Sequence, residues 1–305
     1  MREILEEALR STFGYKAKLL EYKLITDGRT NKTVRVVTDV WDKALFVKIE
    51  KQIEIPRLHK YQIRKEIAAL NLCKEKQIPV PKVMSYRLQE DQNSWLMEEF
   101  IEGDIISKFD LEADNKRVID KEFEEIYNKI SSITSESYGD TFEGGFIGKH
   151  KNWRSALIHI TDLLLQDCQS LDVFGVGHRI VADACNKAIS QIRDITQPVL
   201  FHCDLFSGNV MGRMGEDKKI HINAIIDFGM SMFVPKTYSK YITSKYSDFN
   251  LRLIPNATDD NVPLSEMIAY DILRLEPLIL MKYFQYNDTD KAVAAYLTKC
   301  SEFIN

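Results

Sequence analysis

Val199-Leu-Phe-His-Cys-Asp-Leu-Phe-Ser-Gly-Asn-Val-Met211 decides the reading of this chain, together with its echo Ala224-Ile-Ile-Asp-Phe-Gly229. His202, Asp204 and Asn209 fit a short strand feeding a polar loop, and Asp227 ends a second apolar strand eighteen positions beyond Asn209. Oxygen-bearing side chains are therefore presented from strand ends. A carboxylate and an amide on one loop, with a second carboxylate nearby, form the set that phosphoryl transfer needs. One acid orients the attacking hydroxyl, and the Asn with the other Asp holds magnesium against nucleotide phosphates. The spacing H-x-D-x-x-x-x-N followed by D-F-G is specific. The competing reading is a polar hairpin between two core strands.

Moving towards the N-terminus, Lys43-Ala-Leu-Phe-Val-Lys-Ile-Glu50 alternates as a strand, with Leu45, Val47 and Ile49 on one face and Phe46 and Lys48 on the other. A lysine between Val47 and Ile49 wants an anionic partner. Eighteen positions on, Glu66 lies on a helix spanning 61–76, at the edge of the stripe Ile63, Ile67 and Leu70. The bland alternative is two surface charges on unrelated elements. Before this strand, 24–37 reads as a hairpin with a polar turn. Gly28 would let the backbone approach phosphates there, and N–H groups around Thr30 and Asn31 could cradle them; a lone glycine in a hairpin is also an ordinary turn residue. Ile4, Leu5, Ala8 and Leu9 predict a short amphipathic helix ended by Gly14. After the 61–76 helix, Ile78-Pro-Val-Pro81 forces extended chain, and Ser94-Trp-Leu-Met-Glu-Glu-Phe-Ile-Glu-Gly103 is an apolar strand turning polar, suited to a crossover between lobes.

These motifs together resemble the aminoglycoside phosphotransferase and choline kinase superfamily, small-molecule kinases built on the two-lobed fold of protein kinases. The resemblance covers roughly residues 20 to 230. It implies an α+β fold with a small N-lobe over 1–97, a hinge at 98–103 and a mostly helical C-lobe over 104–305. It implies Asp204 as catalytic base, Asn209 and Asp227 as metal ligands, and His202 as a brace for the loop. Lys48, held by Glu66, would grip the α- and β-phosphates, and the turn at Gly28, Thr30 and Asn31 would position the nucleotide. Met97 would line the adenine pocket, and the main chain at Glu98 and Phe100 would pair with the purine edge. The implied cofactors are ATP or GTP and Mg2+. The acceptor would be a small-molecule hydroxyl, and the C-terminal acids Asp248, Asp259, Asp260 and Glu266 are candidates for binding its amino groups, although a solvated acidic loop explains them as well. The chain departs from the family after Gly229, where Gly-Asp-Pro is common and Met-Ser-Met-Phe stands instead, and Cys203 occupies a place where relatives often carry glycine. No Ala-Pro-Glu follows, so activation by phosphorylation of the protein-kinase kind has no support.

Composition narrows the field further. The 305 residues are 45% apolar and 28% charged, enough for two separate cores. A net charge of −4 and a pI near 5.9 argue against a nucleic-acid partner and permit a cationic acceptor. Five scattered cysteines with no C-x-x-C pair indicate neither a disulfide framework nor a zinc knuckle and fit a reducing cytoplasm. The stretch Met1–Arg10 alternates charged with apolar residues and no later run reaches eighteen apolar residues, so neither export nor membrane insertion is expected, and no obligate protein partner is indicated. Helices are predicted from the Ile119, Phe123, Ile126, Ile130 and Ile133 stripe, over 153–168, 179–195, 264–286 and 291–303, with a loop over 138–152. His150, His159 and His178 show no metal spacing. Aminoglycosides are the first acceptor the layout suggests; choline, homoserine, methylthioribose and macrolides stay open. A nucleotide-binding pseudokinase and a protein Ser/Thr kinase are the competing classes. The first is disfavoured because lysine, base and metal positions are all present, the second by the single-glycine loop.

Overall fold

Leu5, Ala8 and Leu9 share one side of the first helix, α1 (Arg2–Phe13), and are wholly buried; Gly14 ends it with φ 87°, a conformation open to glycine. The computed structural model describes residues 1–27, 31–51, 56–89, 94–145, 147–192, 197–246, 248–249 and 263–305. Next come β1 (Leu19–Asp27), β2 (Asn31–Thr38) and β3 (Leu45–Glu50), then α2 (Gln62–Glu75), β4 (Val83–Arg87) and β5 (Trp95–Glu99). The five strands form one antiparallel sheet in the order β1-β2-β3-β5-β4.

The register sorts the two faces of this sheet. Val34 lies opposite Val47, and Val47 opposite Met97, so these side chains share a face and pack with Leu5, Ala8 and Leu9 in a single core. Thr33, Lys48 and Leu96 line up on the other face. Strand alternation thus sets Lys48 apart from the core that its own neighbours build.

Beyond this sheet follow β6 (Asp104–Ile105), α3 (Ala113–Ile130), β7 (Tyr138–Asp140), β8 (Lys149–His150), α4 (Trp153–Ser170), α5 (His178–Gln191) and β9 (Pro198–Phe201). The chain continues through β10 (Val210–Met214), β11 (Ile220–Ile225), β12 (Met232–Pro235), α6 (Lys236–Tyr246), α7 (Leu264–Asp271), α8 (Leu275–Tyr283) and α9 (Thr289–Ile304). It divides into two compact units, the first made of 1–52, 61–133 and 202–231, the second of 53–60, 134–201 and 232–305. The first holds the five-stranded sheet and a three-stranded sheet ordered β11-β10-β6; the second holds a sheet ordered β8-β7-β12-β9 and the helices from α4 onward. Both β5 and β6, which flank the expected hinge, belong to the first unit.

Two elements differ from expectation. Within the stretch read as a loop, Tyr138 pairs with His150 and Gly139 with Lys149. The Asp140 carboxylate accepts the N–H groups of Ile147 (2.7 Å) and Gly148 (2.9 Å), and a Cβ at Gly139 would fall 2.2 Å from the Gly148 carbonyl oxygen, so only glycine permits the approach. The predicted helix over 264–286 is two helices separated by a tight turn, Ile272–Arg274. Pro277, third in α8, has no N–H to give and its ring clashes with a helical carbonyl four residues back, at Leu273. No helix among the described residues is long and apolar enough to cross a membrane.

Candidate active site

Lys48 is 6% exposed, and its ammonium lies 2.6 Å from Glu66 Oε1 and 3.1 Å from Asp227 Oδ1. Three residues remote in sequence are thus joined through one nitrogen. The same Glu66 Oε1 accepts the Phe228 N–H at 3.2 Å, tying α2 to the Asp-Phe-Gly turn. Gly229 eases this approach, because a Cβ there would stand 3.2 Å from Gln62 Cβ on α2, closer than an ordinary contact. The sequence put Glu66 at the edge of the helix stripe; it is 1% exposed, fully inside. Burial alone would lower the Lys48 pKa, but Asp227, Glu66 and Glu98 together raise it above the ordinary lysine range, so the amine stays charged. Burial raises the Glu66 carboxyl and Lys48 opposes that rise.

His202 fastens the catalytic-type loop to the strand that carries Asp227. Fully buried, it donates from Nε2 to the Ile226 carbonyl at 2.9 Å and accepts the Asp204 N–H on Nδ1 at 3.3 Å, while its ring lies 4.4 Å from that of Phe228. One nitrogen donates and the other accepts, which requires the neutral imidazole, and burial pushes its pKa down to about 4. Asn209 Nδ2 donates to the Asp204 carbonyl (2.7 Å) and to its Oδ2 (3.0 Å), and the Ile226 N–H donates to the Asn209 carbonyl at 3.0 Å. Asp204 itself is exposed. Cys203 and Asp227 both have φ 67°, in the left-handed region, at a cost of roughly 1–2 kcal/mol each for residues bearing a Cβ. Strain of this kind collects where a site needs a fixed carboxylate direction.

Other sequence expectations need correction. Met97 does not line the Lys48 side of the sheet. It is wholly buried in the α1 core, opposite Val47, and takes a contact from the Thr12 hydroxyl at 3.3 Å on its sulfur. One residue of alternation puts it on the face opposite Lys48, and the β5 side chains on the Lys48 face are Leu96 and Glu98. Nor is the Glu98 main chain or the Phe100 N–H open to a purine edge as expected. Glu98 pairs with Phe46 within the ladder and the Phe100 N–H points to the Ala44 carbonyl at 3.4 Å, so Ile101 is the first residue past that last bond. Asn31 is buried, paired with Glu50, and donates to Gln62 Oε1 at 3.2 Å. Gly28, Thr30, Asp259 and Asp260 lie outside the described residues. Asp248 is exposed and Glu266, in the first turn of α7, accepts a hydrogen bond from Tyr270; both belong to the second unit.

The Glu98 side chain is the group that sequence reasoning missed. It is 2% exposed, its Oε1 has no hydrogen-bond partner, and burial with repulsion from Glu66 pushes its pKa up to about 8. Its shared face with Lys48 depends on the β3–β5 register, which no single strand discloses. A metal would find hard oxygen ligands nearby: the half-exposed Asp227 carboxylate, and the Asn209 amide oxygen left over once Nδ2 turns to Asp204. Among the described residues no three His, Cys, Asp or Glu side chains form a metal cluster. One carboxylate and one amide fit magnesium, which completes its shell from phosphates and water.

Glu98 and His202 give the site two opposite pH dependences. The raised carboxyl stabilises below its unfolded pKa of about 4.3, and that contribution is lost as pH rises towards 8; the depressed imidazole stabilises above about 6.5, and its contribution is lost as pH falls towards 4. Glu98→Gln should therefore gain on the parent by on the order of 2 kcal/mol between pH 5 and pH 8. His202→Gln should instead gain on the parent as pH drops from 7 to 4. Urea unfolding at a series of pH values reads both differences, and parallel curves for parent and variant would refute either assignment.

Among known proteins, the family model described as the phosphotransferase enzyme family matches residues 21–238. No curated protein matches the chain. A protein from Haemophilus somnus 129PT provisionally assigned as a fructosamine-3-kinase superimposes with a TM-score of 0.67 at 15% identity, over 99% of this chain and 97% of that one. A thermostable mutant of aminoglycoside phosphotransferase APH(4)-Ia, in a ternary complex with AMP-PNP and hygromycin B, gives 0.66 at 15% identity, over 98% and 97%. The GDP and kanamycin complex of APH(2")-IIia gives 0.60 at 14%, over 98% of each chain. Likeness at such identity speaks to architecture, and the architecture is α+β, two-lobed and protein-kinase-like.

Proposed function

The chain belongs to the phosphotransferase enzyme family, and from that premise we propose that it moves the γ-phosphoryl group of a nucleoside triphosphate to a hydroxyl of a hydroxylated amine, aminoglycosides first. One observation carries the reading. Lys48 is bonded to both Glu66 and Asp227 inside a unit that also holds the Asp204–Asn209 loop.

Each residue then has a task. Asp204 accepts a hydrogen bond from the acceptor hydroxyl, aligns its oxygen with phosphorus and takes the proton late, as the new O–P bond forms and the bond to the leaving oxygen breaks. Lys48, kept charged and aimed by Glu66, meets phosphate oxygens. Asn209 and Asp227 would hold magnesium, which would supply further charge neutralisation at the phosphates. His202 keeps the loop in register with Asp227 by bonding both segments. The purine would meet the main chain past Phe100, in a hinge at 98–103 joining lobes over 1–97 and 104–305.

The acceptor assignment draws on the compounds held by two similar structures, hygromycin B and kanamycin. Asp248, Asp259, Asp260 and Glu266 are the acids proposed to receive its amino groups. The provisional fructosamine-3-kinase favours a second reading, a sugar–amine adduct, within the same chemical class. With an aminoglycoside acceptor the biological role would be antibiotic resistance. A cytoplasmic setting fits five cysteines that are all free thiols. The test is an ADP- and GDP-release screen over aminoglycosides, fructosamines, choline, homoserine and macrolides with magnesium present. Turnover on an aminoglycoside supports the proposal, and turnover confined to any other acceptor in the panel would overturn the acceptor assignment.

A further inference from the structure

On the Lys48 face of β3 and β5, the side chains around Glu98 carry chemistry more particular than that of a generic nucleotide site. Phe46 stands directly opposite Glu98 in the β3–β5 ladder, so both side chains leave the same face, two residues from Lys48. Phe46 and Phe100 are only partly buried, their ring centroids are 6.4 Å apart, and the Arg35 guanidinium lies 5.6 Å from the Phe100 ring. This is an apolar wall fit for a flat heteroaromatic ring. On the same face sits one buried carboxyl, whose Oε1 has no hydrogen-bond partner. A buried polar atom with no partner costs stability, and a ligand that supplies the missing hydrogen bond recovers it.

We propose that the Glu98 side chain determines the base specificity of the nucleotide site, selecting adenine over guanine by hydrogen-bonding the base edge beside the Phe46–Phe100 wall. This inference rests on the phosphotransferase reading and extends it to the choice of nucleotide. In its neutral form a carboxyl offers one O–H donor and one C=O acceptor side by side. Adenine presents the complementary pair, the N7 acceptor and the N6 amino donor, whereas guanine presents two acceptors, N7 and O6, along the same edge. The buried, acid-crowded surroundings favour the neutral form, in keeping with the raised pKa. Guanine would leave the Glu98 acceptor facing O6, an unpaired and repulsive contact.

Binding measurements with the full chain and magnesium test this directly, using ADP, GDP and 7-deaza-ADP, which lacks the N7 acceptor. The parent should prefer ADP to GDP by roughly tenfold or more and bind 7-deaza-ADP less tightly than ADP. Glu98→Gln, which keeps a donor and an acceptor, should retain the preference. Glu98→Leu should lose it, chiefly through weaker ADP binding, and should no longer separate ADP from 7-deaza-ADP. A parent that binds ADP and GDP equally, or a preference unchanged in Glu98→Leu, overturns the proposal while leaving the phosphotransferase reading intact. Failure to bind any of the three overturns both. The 7-deaza comparison on the parent decides the matter even if Glu98→Leu does not fold, since equal binding of ADP and 7-deaza-ADP counts against the base contact.

Discussion

Asp204→Asn should bind nucleotide as the parent does and yet turn over about a thousandfold more slowly on whichever acceptor the release screen identifies. The expectation follows from how little else the change disturbs. Asp204 is exposed, so no buried charge is stranded, and an Asn at this position can still accept the Asn209 Nδ2 bond through its amide oxygen. The main-chain bonds from Asn209 to the Asp204 carbonyl and from the Asp204 N–H to His202 do not involve the side chain that changes. What disappears is the second carboxylate oxygen and its charge, the only part able to draw the proton of an incoming hydroxyl. A transition state that is mostly dissociative asks for alignment more than for strong basicity, which is why the expected loss is a few orders of magnitude and not the whole rate enhancement. The measurement is kcat beside the Kd for ADP. A variant within tenfold of the parental kcat would falsify the assignment of Asp204 as base.

The site was legible wherever its parts were contiguous. His202, Asp204 and Asn209 sit within one loop, and the spacing that carries their chemistry is the spacing that lets Asn209 fold back on Asp204 and His202 accept the Asp204 N–H. Lys48 was legible because alternation exposes a lysine trapped between two apolar residues, and Glu66 because helical spacing sets it beside the buried stripe. The face of β5 that meets Lys48 was not legible. Whether Met97 or Glu98 shares it depends on a one-residue register between β3 and β5, to which hydrophobicity gives no answer when Trp95, Leu96, Met97 and Glu98 are all buried. A strand buried on both faces loses the polar–apolar alternation that would reveal its orientation. The broken helix at Pro277 was overlooked for another reason: its apolar pattern continues across the turn, because Ile272, Leu275, Leu278 and Ile279 all remain buried even though the backbone ladder is interrupted.

Lys48→Met carries the second large effect, and it falls on the fold as well as on the chemistry. In the parent, one ammonium serves two acids, the buried Glu66 and the half-exposed Asp227. Methionine fills nearly the same volume along the apolar stem, so packing changes little and the consequence is electrostatic. Glu66, 1% exposed, keeps the Phe228 N–H but loses its cation, and stranding a buried partner in this way typically costs about 3–5 kcal/mol. The carboxyl can escape only by taking a proton. Its folded-state pKa then lies still further above the unfolded value, so the variant should be least impaired near pH 5 and lose stability progressively as pH rises, a slope steeper than the parent's. Adding Glu66→Leu should restore most of the lost stability, since replacing a buried ion pair by apolar groups is often neutral, but it should restore none of the turnover, because nothing then meets the phosphates from β3. Urea unfolding of the parent, the single and the double variants at pH 5 and pH 8, alongside activity, separates the two roles. If Lys48→Met unfolds at the parental urea midpoint at pH 8, the ion pair does not hold α2 against the Asp-Phe-Gly turn. If the double variant regains activity along with its stability, Lys48 acts only as a support for the fold and not upon the substrate.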